Sequence, residues 1–258
     1  INNVIGTLKA IFASAYAEGL IERDPTVALI RPKASKGTGR RALTPEETQR
    51  VLETIRTHPE GLFLAILYYL GVRRGEALGL KWGDFDFTVD QVHIQRDIDF
   101  TGSTAADGTL KTEAADRFVP IPEDLKVMLL PKRESADAYV FHTPSGAPLP
   151  QASYKRMWSR LMLECGCVEW RELKPGTSRP DDILKQVKPT LTPHYFRHNY
   201  VTLLYESGID PLVAMKIVGH TDYQTTANIY THLKEETLRR ASVNMERVFA
   251  KRSEQDAQ

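Results

Sequence analysis

Apolar residues recur at helical spacing from the first residues of the chain. Val4, Leu8, Ile11, Phe12 and Ala15 share one face over residues 3–18, and Gly19 ends the run. Thr44-Pro45-Glu46-Glu47 is a strong helix start: Thr44 can cap, Pro45 suits the first turn and Glu47 completes a capping box. Val51, Leu52 and Ile55 then form a buried face. A second, almost wholly apolar helix is expected over residues 60–70, with Gly71 as its stop. After Trp82 the period shortens to two. Val92, Ile94 and Ile98 alternate through residues 91–98, which predicts a strand; Gly102 and Gly108 mark turns, and residues 117–121 read as a second strand. A helix follows over 152–163. The Pro- and Gly-rich stretch 165–189 reads as a long loop. Thr192-Pro193-His194 opens a helix running to Gly208, Asp210-Pro211 opens another ending at Gly219, and Thr221 or Asp222 begins a third through Tyr230. The last expected helix covers 235–251, with Leu238, Ala241, Met245, Val248 and Phe249 on roughly one side. The pattern is mainly α with a small antiparallel β-sheet inserted after the first helices, an α+β fold.

Composition fits this picture. The chain has 258 residues, 41% hydrophobic and 26% charged, enough for one large domain or two smaller ones. The longest apolar run, residues 62–72, is too short to cross a bilayer, and no signal pattern opens the chain. It begins with Ile1 rather than Met, which reads as a fragment of something longer. The two cysteines, Cys165 and Cys167, exclude a disulfide framework and a four-cysteine zinc site, and point to a reducing cytosol. With a net charge of +1 the molecule is no polycation, so any nucleic-acid binding must use local patches. The clearest patch is residues 31–41, where Arg31, Lys33, Lys36, Arg40 and Arg41 meet no acidic residue. It reads equally as a solvated tether or as a tether lying along phosphates.

Four places carry candidate chemistry. Arg73 and Arg74 follow the apolar helix, with Glu76 near enough to anchor a guanidinium. Lys111 sits near an expected hairpin turn, able to act as a point charge or a proton donor. His194 and Arg197 share a helical face close to a helix N-terminus, an arrangement suited to phosphate. His194 and His198 do not read as a metal pair, because Tyr195 stands where a zinc protease helix needs Glu and no third ligand is signposted. Gly219-His220 precedes Tyr230, a phenol that needs nearby positive charge to become a nucleophile. Each signal alone also fits a plain role: a solvated arginine, a hairpin lysine, an amphipathic helix, a packing tyrosine.

Their order is more specific. Arg, hairpin Lys, His-x-x-Arg, Gly-His and Tyr form the series of the tyrosine recombinases. The chain resembles that family, most closely the integrases of phages and conjugative transposons. The matching stretches run from Leu70 through Arg73 and Glu76 to Asp84, from Leu110 through Lys111 and Arg117 to Pro120, from Thr192 to His198, and from Val218 through His220 to Tyr230. The resemblance implies that residues 1–30 end a helical core-binding domain, 31–43 are a basic linker, 44–235 the catalytic domain, and 236–258 a C-terminal helix and tail exchanged between protomers or packed on their own domain. It implies that Arg73 and Arg197 clamp the scissile phosphate, that His194 and His220 hydrogen-bond it, that Tyr230 attacks it and that Lys111 protonates the leaving 5′ oxygen. Glu76 takes the family's acidic supporting position. Implied partners are double-stranded DNA at recombination sites, further copies of the chain in a dimer or tetramer, and an excision helper protein. No metal, cofactor or membrane is implied. A type IB topoisomerase and a catalytically silent DNA-binding homologue are the alternatives; Gly-His220 and the opening helix favour a recombinase.

Overall fold

A computed structural model describes residues 2–29, 41–101, 104–108, 115–171, 183–219, 227, 229–231, 233 and 234. The chain divides into two compact units, Ile1–Gly39 and Arg40–Gln258. In the first, α1 (Asn2–Ala17) leads to Gly19, whose φ of 72° is the left-handed conformation that ends a helix without a Cβ penalty. Val4, Ile11, Tyr16 and Leu20 are exposed on it.

The second unit is built around α3 (Gly61–Leu70), which is apolar on every side and therefore buried on every side. Against it pack α2 (Pro45–Thr57), α5 (Glu123–Leu129) and α8 (Pro193–Glu206). The Thr44 cap forms as expected, its side chain accepting from the Glu47 amide while Glu47 accepts from the Thr44 amide. Gly71 closes α3 with a φ of 60°, so close to Tyr200 that an added Cβ would lie 2.3 Å from the ring. A short α4 (Arg74–Gly79) follows, which the pattern did not predict because six residues are too few to display a period.

Strand β2 (Gln91–Ile94) pairs antiparallel with β1 (Phe85–Asp86) on one side and β5 (Arg117–Pro120) on the other. The single strand expected over 91–98 is two. β3 (Asp97–Thr101) belongs to a separate hairpin with β4 (Thr104–Gly108). The break falls at Gln95 and Arg96, whose side chains both turn to Asp84. Gly108, expected in a turn, lies at the end of β4 opposite Asp97, and Gly102 lies outside the described residues. The expected helix over 152–163 is α6 (Gln151–Glu164). The loop expected over 165–189 contains a two-stranded ribbon, β6 (Val168–Trp170) with β7 (Val187–Pro189), and one helical turn, α7 (Ile183–Gln186). Cys165 and Cys167 are buried free thiols beside it.

Helix α8 begins after Thr192, and α9 (Pro211–Val218) begins under Asp210, which caps the Leu212 and Val213 amides. Gly219 ends α9 with a φ of 73°. Beyond it, residues 227, 229–231, 233 and 234 are helical, in line with a helix reaching Tyr230. The helix expected over 235–251 lies outside the described residues. No described helix is long and apolar enough to cross a membrane.

Candidate active site

Glu76 lies in the first turn of α4 and is 1% exposed. A buried carboxylate is costly unless it is paired and hydrogen-bonded, and this one is both. Its Oε2 accepts from the Arg73 backbone amide at 2.7 Å and from Arg117 Nη2 at 2.9 Å. Its Oε1 accepts from Arg73 Nη1 at 2.7 Å and from Arg117 Nη1 at 3.2 Å. Arg197 Nη1 stands 3.9 Å from Oε2. Burial pushes the carboxyl up, but the hydrogen bonds and charge of Arg117 and the charge of Arg197 override it and hold the group down at about 2. Glu76 is therefore ionised at any ordinary pH.

Three guanidiniums thus converge on one carboxylate, and positive charge is left over. Arg197 donates to the carbonyls of Gly71 at 3.1 Å and Val218 at 2.5 Å, and burial lowers its pKa to about 9, still charged at neutral pH. Arg73 reaches the Gly219 carbonyl at 3.1 Å and is the most open of the three, its side chain 37% exposed. His194 is exposed in the first turn of α8, one turn before Arg197. The N-terminus of α8 adds a positive dipole end to the same face. A surplus of positive charge on guanidiniums at a helix start is a setting for a phosphate.

Of the residues expected to act together, the fold assembles Arg73, Glu76 and Arg197, with His194 on the same helix as Arg197. Lys111 and His220 lie outside the described residues, as do Arg31, Lys33, Lys36 and Arg40. Arg41 is committed within its own unit: it forms a two-pronged pair with Glu47 at 2.6 and 2.8 Å and lies over the Tyr195 ring at 5.5 Å. Tyr230 is 8% exposed, and its hydroxyl donates to the Ile209 carbonyl at 3.2 Å. Its ring meets Tyr205 edge-on at 5.1 Å. Arg197 lies near the start of α8 and Ile209 beyond its end, so roughly 14 Å of helix separates them at 1.5 Å per residue. Burial and then Asp210 raise the pKa of the Tyr230 phenol, so where it rests it is not activated.

Arg117 lies in a stretch that matches the family, but the residue series assigns it no role at the site. The signal was present. It falls in phase with Val119 on the inward face of β5, and a charge at an inward position of a short strand needs a buried partner.

Residues 41–237 match the phage integrase family. A tyrosine recombinase XerC-like protein of Caldanaerobacter subterraneus subsp. tengcongensis is 26% identical over 88% of the chain, which spans 60% of that relative's length. Tyrosine recombinase XerD of Halalkalibacterium halodurans is 28% identical over 93% of the chain, which spans 72% of it. Among solved structures, the integrase of transposon Tn1549 in complex with transposon right end DNA superposes with a TM-score of 0.69 at 23% identity, over 95% of this chain and 78% of that one. The XerH site-specific recombinase bound to its palindromic difH substrate superposes at 0.55 with 23% identity, over 88% of this chain and 59% of that one. With three-quarters of its length matched, the chain belongs to the phage integrase family of tyrosine recombinases.

Proposed function

We propose that this chain is the catalytic part of a site-specific recombinase that cleaves and rejoins DNA through a 3′-phosphotyrosine intermediate, integrating or excising a mobile element. The observation that carries the reading is the cluster of Arg73, Arg117 and Arg197 around ionised Glu76 at the start of α8. Phosphoryl transfer needs alignment and neutralisation of charge on the equatorial oxygens. Arg73 and Arg197 supply two guanidiniums for that purpose, and His194 and His220 supply further hydrogen bonds. The Tyr230 oxygen loses its proton and forms a bond to phosphorus as the bond to the 5′ oxygen breaks. Lys111 gives that oxygen a proton. The second step runs in reverse with a different 5′ hydroxyl and exchanges strands. Because the covalent link keeps the phosphodiester's energy, no nucleotide cofactor is needed.

Attack requires Tyr230 to leave the Ile209 carbonyl and approach the arginines. The proposal extends to double-stranded recombination sites as substrate, to assembly of dimers or tetramers on them, to an excision helper protein, and to action in the cytoplasm. Arg31, Lys33, Lys36, Arg40 and Arg41 are assigned to backbone phosphates, Arg41 only if it exchanges its pairing with Glu47.

Incubation with a nicked suicide substrate, followed by denaturing electrophoresis, tests the chemistry. The wild-type chain should form a covalent adduct. Tyr230→Phe should form none while binding DNA nearly as well; adduct at wild-type yield from that variant moves the nucleophile elsewhere, with Tyr223 the next suspect. Lys111→Ala should slow cleavage by about 10²–10⁴, the usual range for a lost general acid. A 5′-thio leaving group needs little protonation and should restore most of that loss, whereas equal loss on both substrates contradicts the role.

A further inference from the structure

The three arginines share a second set of partners besides Glu76. Arg117 Nε donates to the Ile217 carbonyl at 2.8 Å, Arg197 Nη2 to Val218 and Arg73 Nη2 to Gly219. These are three successive carbonyls at the end of α9, where a helix has no partners of its own and carries its negative dipole end. Each donor comes from a different part of the fold: β5, α8 and the cap of α4.

The roles of the three differ. Arg73 is open, so its fork can turn to a ligand. Arg117 is 7% exposed, and four of its five N–H donors are held inside the protein. Nε is on Ile217, Nη1 on both the Ala115 carbonyl and Glu76, and Nη2 on Glu76. It cannot offer a phosphate a two-pronged fork without giving some of these up. What it does is bridge: one planar guanidinium ties β5 to the α4 carboxylate and to the last turn of α9, directly before Gly219 and His220.

We propose that Arg117 is a positioning residue for DNA cleavage, holding Glu76 and the end of α9 so that Arg73, Arg197 and Gly219 keep one fixed arrangement around the scissile phosphate. The inference rests on the function proposed above. It follows from the geometry that Arg117 also offsets the Glu76 charge, leaving the charges of Arg73 and Arg197 to the phosphate. Lysine does not replace it, because a single ammonium cannot span a carboxylate and a carbonyl in one plane.

The test uses the full chain, single-turnover adduct formation on a suicide DNA substrate, and binding measured separately on uncleaved DNA. Arg117→Met should bind DNA within about threefold of wild type yet cleave about 100-fold more slowly at saturating DNA, the scale of loss for a reacting group misplaced by about 1 Å. Arg117→Lys should show the same split, with little recovery. The pH profile separates positioning from general weakening. Without Arg117, buried Glu76 loses its strongest stabilising partner and protonates more readily, so cleavage by Arg117→Met should gain an acid limb absent from wild type. Arg117→Met/Glu76→Gln, which has no carboxyl to titrate, should lack that limb. If Arg117→Met fails to fold by thermal melt, Arg117→Lys decides alone through its rate and its profile. Wild-type rate and profile in the folded variant overturn the proposal. A loss fully recovered by raising the DNA concentration overturns it too, since that is the mark of a direct DNA contact. Failure of the wild-type chain to form any adduct strikes the function itself and is read before the variants.

Discussion

At the residue scale the molecule is organised around one acid. Glu76 is held well below the usual carboxylate range although burial works in the opposite direction. A carboxyl with a depressed folded pKa contributes stability above its unfolded value and loses it as pH falls through the folded value. The window here runs from the ordinary value of 4.5 down to about 2. Glu76→Gln should cost about 3–5 kcal/mol near neutral pH, because it leaves three buried or half-buried guanidiniums without their counter-charge. The gap between wild type and variant should then narrow as pH drops below about 4.5, since protonation of Glu76 removes the same charge. Urea unfolding of both proteins across that range measures it, and a gap that stays constant with pH would refute the ionised state. The Arg73–Glu76 pair could be read from the sequence because its members are three residues apart on one turn. Arg117 could not be paired in that way: its partner is 41 positions distant, and only the fold joins them.

At the scale of elements, what is local was legible and what is relational was not. The Thr44 box and the glycine stops at Gly71 and Gly219 are encoded within four or five residues, and they form where the sequence puts them. The strand expected over 91–98 kept its alternation through a break that only Asp84, 11 and 12 residues before Gln95 and Arg96, explains. The ribbon of β6 and β7 was hidden because its strands are three residues each, with Pro and Gly between them. Gly71 shows how an element end reaches the site. Its carbonyl accepts from Arg197 and its backbone is left-handed against Tyr200. Gly71→Ala adds both a strained conformation and a clash, and should destabilise the chain by about 2–4 kcal/mol. Cleavage by the fraction that remains folded should also slow, because Arg197 shares that carbonyl. Chemical denaturation and adduct yield read the two effects, and an unchanged midpoint would contradict the packing.

At the scale of the whole molecule, the groups to which the proposed reaction assigns the chemistry are held apart. Tyr230 rests on Ile209 at one end of α8 while the arginines gather near the other. The proposed attack needs something to bring them together, and the sequence offers a candidate after Tyr230. Leu238, Ala241, Met245, Val248 and Phe249 recur at helical spacing, with Arg239, Arg240, Glu246 and Arg247 between them, in a segment outside the described residues. An apolar stripe of that length is stable only against another surface, either its own domain or a neighbouring protomer. Docking on a neighbour would pull on the chain carrying Tyr230 and make cutting depend on assembly. Deleting the chain from Thr237 onward should then weaken cooperative assembly on DNA with two sites, visible on a native gel, and change single-site cleavage. The thermal melt of the remaining chain should stay within a few degrees of the full-length value. Unfolding of the truncated chain would mean that the stripe packs on its own domain, and release of Tyr230 would then have to come from DNA contact alone.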